Sequence, residues 1–464
     1  MVFSSTVFLF VFLPITLGVY YIIQPQLRNF WLLVVSLIFY SWGEPKYLIL
    51  MLVSILINYI FGILIEYCCL NQMIYKSRML LCFTVIFNMG LLLYFKYYDF
   101  FVENINYIFS MTFSLKNIAL PVGISFYTFQ IMSYVIDVYR RNVKAQYNIF
   151  NLWLYISFLP QLIAGPIVRY IDIEKQINTR VLNLEQVHEG VVLFMVGFAK
   201  KILIADQLAP LVDVAFASNG TSALLAWTGA IAYALQIYFD FSGYSDMAIG
   251  LGKFFGFEFV KNFNYPYISK SIKEFWRRWH ISLSTWFKDY VYIPLGGSRC
   301  KLMRSYFNLI VVFFLTGFWH GASWNFIIWG LYYVIFLVVE GMGLGKSLEK
   351  LPGLFQHMYA MIIILFGWIV FRAENLENAL MYIQNMFILN ESSWNVFVLN
   401  INRQYLFCIF CGIIFSMPLE RRLRKNINQY LGEGIYNIFV MLMFLIAIAY
   451  MLGSGFSPFL YFRF

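Results

Sequence analysis

Charge is what this sequence has least of. Only 12% of its 464 residues are Asp, Glu, Lys or Arg, and 61% are hydrophobic. A soluble domain carries about 25% charged and roughly 45–50% apolar residues. A water-soluble globule is therefore excluded unless something other than water covers its surface, and lipid is the simplest cover. Disorder is excluded too, because disordered chains are poor in aromatics and 21% of this one is Phe, Tyr or Trp. Cysteine is scarce. Six of them in a chain this long are not the disulfide framework of a small secreted domain. Histidine is scarcer, with four (His188, His280, His320 and His357) and no cluster of acids beside them at ligand spacing. No metal site is expected. No Pro/Gly/Ser-rich linker and no repeat of 20–50 residues interrupts the chain, so solenoids are out and residues 1–464 read as a single membrane domain.

Apolar runs dominate. Stretches free of acid and base include 1–27, 29–43, 47–65, 79–95, 117–136, 145–168, 214–239, 305–339, 351–371, 404–419 and 435–462. About 20 such residues cross a bilayer as a helix. In lipid every backbone polar group must be paired internally, and long continuous runs are unlike the alternating strands of a barrel. The expected fold is all-α and polytopic, with about 11–13 transmembrane helices plus re-entrant or interfacial ones. Met1–Leu27 lacks the positive n-region of a signal peptide and reads as a retained first membrane helix.

The sparse charge is unevenly placed. Thirty-three basic and 23 acidic residues leave +10. The segment Lys261–Arg304 holds nine bases against Glu274 and Asp289, which is +7 of that total. The positive-inside rule puts its rims on the cytoplasmic side. Arg140, Arg141 and Lys144 mark a second cytoplasmic loop, and Arg421, Arg422, Arg424 and Lys425 a third. With no base-reading module in the chain, this charge suits anionic headgroups or an anionic substrate rather than nucleic acid. Within the segment, Lys273, Arg277, His280, Ser284 and Lys288 share one face of a helix, and Ile272, Trp276, Trp279, Leu283 and Trp286 share the other. That pattern predicts a cationic amphipathic helix, either a plain interfacial anchor or a platform for an anionic ligand.

Polar groups at membrane depth are costly and tend to be functional. His320 follows the apolar run from Ser305 to Trp319. A neutral imidazole there is either a core histidine bonded to a neighbouring helix or a general base. His280, in Trp276-Arg277-Arg278-Trp279-His280, is expected on a helix that water reaches. Asp240 and Asp246 sit in the apolar stretch Tyr238–Asp246. They can orient a histidine, pair with Arg277 or Arg278, hold a cation, or form an internal salt bridge. Other signals fail. Gly341–Ser347 resembles a phosphate-binding loop, but Glu340 stands where its first glycine is needed. Cys408 and Cys411 lie in an apolar span with no second pair and read as buried thiols.

Two segments, Trp276-Arg277-Arg278-Trp279-His280-Ile281-Ser282-Leu283 and Phe318-Trp319-His320-Gly321-Ala322-Ser323-Trp324, resemble the two histidine motifs of the membrane-bound O-acyltransferases, closest to their bacterial alginate O-acetyltransferase branch. Pro121–Gln130, Phe158–Ile167, Tyr238–Ala248, the opening Met1–Ser5 and the closing Phe456–Phe464 are similar as well, so the resemblance runs end to end. It implies a helical bundle thinned at its centre, with funnels from both sides meeting near His320. It also implies a multi-pass enzyme of the bacterial cytoplasmic (inner) membrane. Cytoplasmic acetyl-CoA would be the donor, and a separate extracytoplasmic transferase would carry the acetyl group to a polysaccharide hydroxyl.

On this resemblance His320 is the base and His280 orients the thioester or relays the proton. Lys273, Trp276, Arg277 and Arg278 bind the coenzyme. Asp240, Asp246, Trp319, Ser323 and Asn325 are supporting residues, the last three as candidate oxyanion donors. A carrier-protein thioester, as in D-alanyl transfer to teichoic acid, is the alternative donor. A polytopic transporter is the alternative class, although no inverted repeat is visible.

Overall fold

The computed structural model describes residues 1–218, 222–388, 393–419, 429–453 and 459–460. The expected basic loop at Arg421–Lys425 and most of the closing motif Phe456–Phe464 lie outside the described residues. Helices and the loops between them make up everything described, with no strand among those residues.

Among the described residues seven helices are long and apolar enough to cross a membrane: Pro45–Leu70, Ile74–Phe109, Ala223–Phe254, Leu302–His320, Trp324–Leu348, Gly353–Arg372 and Gly432–Gly453. A bent pair, Trp394–Asn400 with Arg403–Phe415, makes an eighth if it is one span. The larger number expected from apolar runs counted segments that fold as shorter helices. Phe8–Ile22 is one of these, so the first apolar run does not form a single full-length helix. Ile124–Tyr139 is another, 16 residues long, and all of Ile124–Val135 is buried in protein. Burial separates the long helices as well. In Ala223–Phe254, 78% of the apolar window is buried, against 11% in Gly432–Gly453, which turns nearly all its side chains outward. Outward apolar side chains are what lipid requires of a spanning helix.

The chain forms two compact units. The first comprises Met1–Phe194 with Met247–Val260. Inside it, Asn58 and Asn88 exchange amide hydrogen bonds of 3.1 and 2.7 Å across Pro45–Leu70 and Ile74–Phe109. Paired carboxamides hold helices together where apolar side chains gain little from leaving lipid. The second unit comprises Met195–Asp246 with Lys261–Phe464 and contains both motif histidines.

Candidate active site

His320 is the last residue of Leu302–His320. Gly321 is extended, and the chain restarts at Trp324 with the Ser323 hydroxyl accepting from the Asn325 N–H at 3.4 Å. The two arms of this hairpin touch backbone to backbone. A Cβ on Gly317 would stand 2.2 Å from the Phe326 carbonyl oxygen, and one on Gly330 2.3 Å from that of Phe313. Only glycine permits such an approach. Asn325 Nδ2 then donates to the Ala373 carbonyl at 2.7 Å, fixing the hairpin to the end of Gly353–Arg372. His320 is left 5% exposed in an aromatic box. The ring centroids of Trp319 and Trp329 lie 5.0 Å away and that of Phe371 5.4 Å away, all near perpendicular.

His280 departs from expectation. The single amphipathic helix is broken into Ile272–Arg278 and Ile281–Phe287, and His280 between them is left-handed, with φ at 43°. Trp279, His280, Ser282, Leu283, Trp286 and Phe287 are all buried. The helix is interrupted at Trp279, which is extended, and at left-handed His280, so the buried residues are shared between two short helices. His280 is therefore not on a wet face. It is 1% exposed.

Asn262 Oδ1 accepts from the Ser282 N–H at 3.2 Å and from the Ser282 hydroxyl at 2.9 Å. It also lies 3.0 Å from His280 Nδ1. A backbone N–H only donates, which fixes this amide atom as the oxygen. Nδ1 must then carry the imidazole proton, and Nε2 holds the lone pair. His280 lies outside the candidate spans, and burial pushes its pKa down to about 3. The ring is thus neutral near pH 7. Unfolded, it would titrate near 6.5. Between these values the unfolded state binds the extra proton, so this contribution to stability is intact above pH 6.5 and is lost as pH falls toward 3.

Trp319 joins the two histidines, its ring 5.0 Å from His320 and 6.1 Å from His280. Phe241 sets its edge to His280 at 4.7 Å.

Asp240 and Asp246 do not pair with the arginines of the motif. A π-helical turn at Lys200–Ala205 presents two adjacent lysines to them. Lys200 Nζ lies 2.6 Å from Asp246, and Lys201 Nζ lies 2.7 Å from Asp240 and 2.5 Å from Asp206. Asp240 Oδ2 also accepts the Leu460 N–H at 2.8 Å. Phe459 packs on Tyr244 and Phe241. Any support Asp240 gives the site is thus indirect, through the helix that carries Phe241.

The four residues expected at the coenzyme are split. Lys273 and Arg277, one turn apart, are exposed. Arg278 is tied to Glu274 at 2.8 Å and to the Asn264 carbonyl at 3.0 Å. Trp276 packs inward, 5.6 Å from Trp329 and 5.1 Å from Tyr333. Glu340, which spoils the phosphate-loop pattern, caps this helix by accepting the N–H groups of Ile272 at 2.7 Å and Lys273 at 3.1 Å. A carboxylate is favoured at a helix N-terminus.

Sequence reasoning missed Asn262, Trp329, Tyr333 and Phe371. The Nε1 atoms of Trp276 and Trp329 and the Tyr333 hydroxyl are buried without a hydrogen-bond partner among the described residues. Buried donors are normally paired, and the ring of one of the three, Trp329, lies 5.0 Å from that of His320. Among the described residues no group of His, Cys, Asp and Glu is placed to hold a metal ion.

The arrangement defines a class: a polytopic helical membrane protein with two neighbouring histidines buried among aromatic rings. The family model for the membrane-bound O-acyltransferases matches residues 111–366. The chain is 39% identical to the probable alginate O-acetylase AlgI of Azotobacter vinelandii over the whole of both chains. It is 41% identical to the probable alginate O-acetylase AlgI of Pseudomonas aeruginosa, covering 94% of this chain and 86% of that one. It is 39% identical to the peptidoglycan O-acetyltransferase of Helicobacter pylori, over 84% of this chain and 80% of that one. The chain belongs to the membrane-bound O-acyltransferase family and is an O-acyltransferase.

The Asn262 contact carries a testable consequence. Asn262→Asp sets a carboxylate against His280 Nδ1 and favours the imidazolium. The acid limb of the pH–rate profile is expected to move to higher pH in this variant. A merely structural contact would change the rate and leave the profile in place.

Proposed function

We propose that this enzyme moves an acetyl group from cytoplasmic acetyl-CoA to an extracytoplasmic hydroxyl, for O-acetylation of a surface polysaccharide through a separate transferase in the bacterial cytoplasmic membrane. The observation that carries the proposal is the buried pair His320 and His280, both packed against the ring of Trp319. The names of the relatives, which specify alginate and peptidoglycan acetylation, support a polysaccharide as the end acceptor.

In this reading the acceptor oxygen attacks the thioester carbonyl while His320 takes the hydroxyl proton. The tetrahedral intermediate collapses, the C–S bond breaks, and the departing thiolate regains the proton as free CoA. An alcohol is a poor nucleophile without such a base. A thioester is a better acyl donor than the ester formed, so no ATP is needed. The oxyanion requires donors. Trp329 Nε1 suits that role better than Ser323 or Asn325, whose side chains already serve as cap and tether. His280, neutral with its lone pair on Nε2, orients the thioester or passes the proton.

Lys273 and Arg277 would hold the coenzyme phosphates. The test is free-CoA release from acetyl-CoA by purified protein in nanodiscs, with acceptor supplied. Lys273→Gln/Arg277→Gln is expected to raise KM for acetyl-CoA about tenfold, more at low salt, with kcat unchanged. Turnover of an acylated carrier protein but not of acetyl-CoA would replace the donor assignment.

A further inference from the structure

Two arginines in the first unit have no acidic partner among the described residues. Arg28 opens the helix Arg28–Ser41, and Arg180 follows the helix Tyr170–Asn178. Both guanidinium groups lie at one aromatic ring: Arg28 Cζ is 5.1 Å and Arg180 Cζ 5.9 Å from the centroid of Tyr20. Arg180 is held by neutral groups only. It donates to Asn29 Oδ1 at 2.6 Å, to the carbonyls of Phe255 at 3.0 Å and Ile177 at 3.3 Å, and to the Tyr20 hydroxyl at 3.1 Å. Its guanidinium also stacks on Phe257 at 4.5 Å. Arg28 Nε is buried and has no hydrogen-bond partner among the described residues.

Other half-buried arginines of this chain are paired, Arg169 with Asp172, Arg278 with Glu274 and Arg372 with Asp213. Neither Arg28 nor Arg180 has a carboxylate within ion-pair distance among the described residues. Two partly desolvated positive charges at one ring, neither paired with a carboxylate among the described residues, favour an anion beside them.

The flanking chain says where that anion comes from. Ile22 and Leu27 lead into Arg28, and Val181 and Leu184 follow Arg180. Their exposures are 86%, 53%, 81% and 88%. Long apolar side chains turned outward beside guanidinium groups match the boundary between acyl chains and headgroups.

We propose that Arg28 and Arg180 form a site for a phosphodiester anion, and that its occupant is the headgroup of an anionic phospholipid. Guanidinium is the side chain best shaped for phosphate oxygens. Arg180 is pre-organised by its four hydrogen bonds, and Arg28 lies over the same Tyr20 ring.

The test uses the full chain in detergent, titrated with dioleoylphosphatidylglycerol or dioleoylphosphatidylcholine and read by native mass spectrometry. The phosphatidylglycerol adduct is expected to form more tightly than the zwitterionic one. Arg28→Gln should weaken it about five- to tenfold, and Arg28→Lys less. Arg28 makes no hydrogen bond that the fold needs, so thermal stability should not change. Arg180 is left intact because its loss endangers folding. A third arm adds sodium phosphate against chloride of equal ionic strength, and phosphate is expected to displace lipid no better than chloride. Equal retention of the two lipids, or undiminished phosphatidylglycerol binding by Arg28→Gln, would overturn the site. Displacement by phosphate alone would overturn the lipid assignment in favour of a free phosphate.

Discussion

Replacing His320 with alanine is expected to lower thioester turnover about 10²–10⁴-fold, the usual loss when a positioned base is removed. The reason is local. His320 is closed in by Trp319, Trp329 and Phe371, none of which can take a proton. The nearest other imidazole, His280, is reached across Trp319. Removing the ring leaves a hole among aromatic side chains, so His320→Gln, close in volume, should be measured beside it. Retained thermal stability and retained acetyl-CoA binding would show that both variants are folded. His280→Ala should also slow turnover. If the two histidines act on one proton path, the double variant will be little slower than His320→Ala alone, because groups that act as a unit are not additive. Independent losses that multiply would separate their roles. A folded His320→Ala enzyme that still releases CoA at the original rate would remove His320 from the chemistry.

Membrane class was legible because it rests on composition, which no tertiary contact can alter. The count of spans was less so. The run that holds Ile124–Val135 folds as a 16-residue helix buried in protein, and periodicity alone does not give a helix its length or its neighbours. The two histidines stood out because a polar ring among tryptophans is conspicuous in one dimension. Their settings did not. His280 lies on the polar stripe of an ideal helix, and the left-handed backbone at His280, which ends one short helix and starts the next, carries no signal in a 3.6-residue pattern. Asn262 is 18 residues from His280 and carries no local signal. Arg277 and Arg278 are adjacent in sequence yet differ in fate, because Glu274 is one turn behind Arg278 and engages it. The partners of Asp240 and Asp246 were hidden for the same reason. Lys200 and Lys201 are consecutive and would diverge by about 100° on a regular α-helix. A π-helical turn, invisible to a 3.6-residue pattern, begins where they stand.

That pair of lysines carries the largest expected effect on stability. The side chains of Lys201 and Asp240 are 4% and 2% exposed, and that of Asp206, the third member of the group, 15%. Lys201 lies between the two carboxylates, and Asp240 also accepts the Leu460 N–H. Lys201→Met removes the ammonium that bonds both Asp240 and Asp206 and takes an ion-pair partner from each acid. Breaking a buried pair in this way costs about 3–5 kcal/mol. Lys200→Met should cost less, because Lys200 and Asp246 are each about a fifth exposed and solvent screens what remains. The diagnostic variant is the triple change Lys201→Met/Asp240→Asn/Asp206→Asn, which removes the charges together. It is expected to recover most of the loss, since a charge cluster replaced as a whole is often close to neutral. Thermal denaturation in a single detergent reads all three. If Lys201→Met unfolds no earlier than wild type, Asp240 and Asp206 have another source of charge compensation and the lysine is not what holds them. If the triple variant is as unstable as Lys201→Met, lost packing and hydrogen bonds outweigh the stranded charge. Recovery of stability with full activity would show that Asp240 supports the site only by holding its helix, and Phe241 with it, against His280. Recovery of stability without activity would assign its charge a part in the reaction itself.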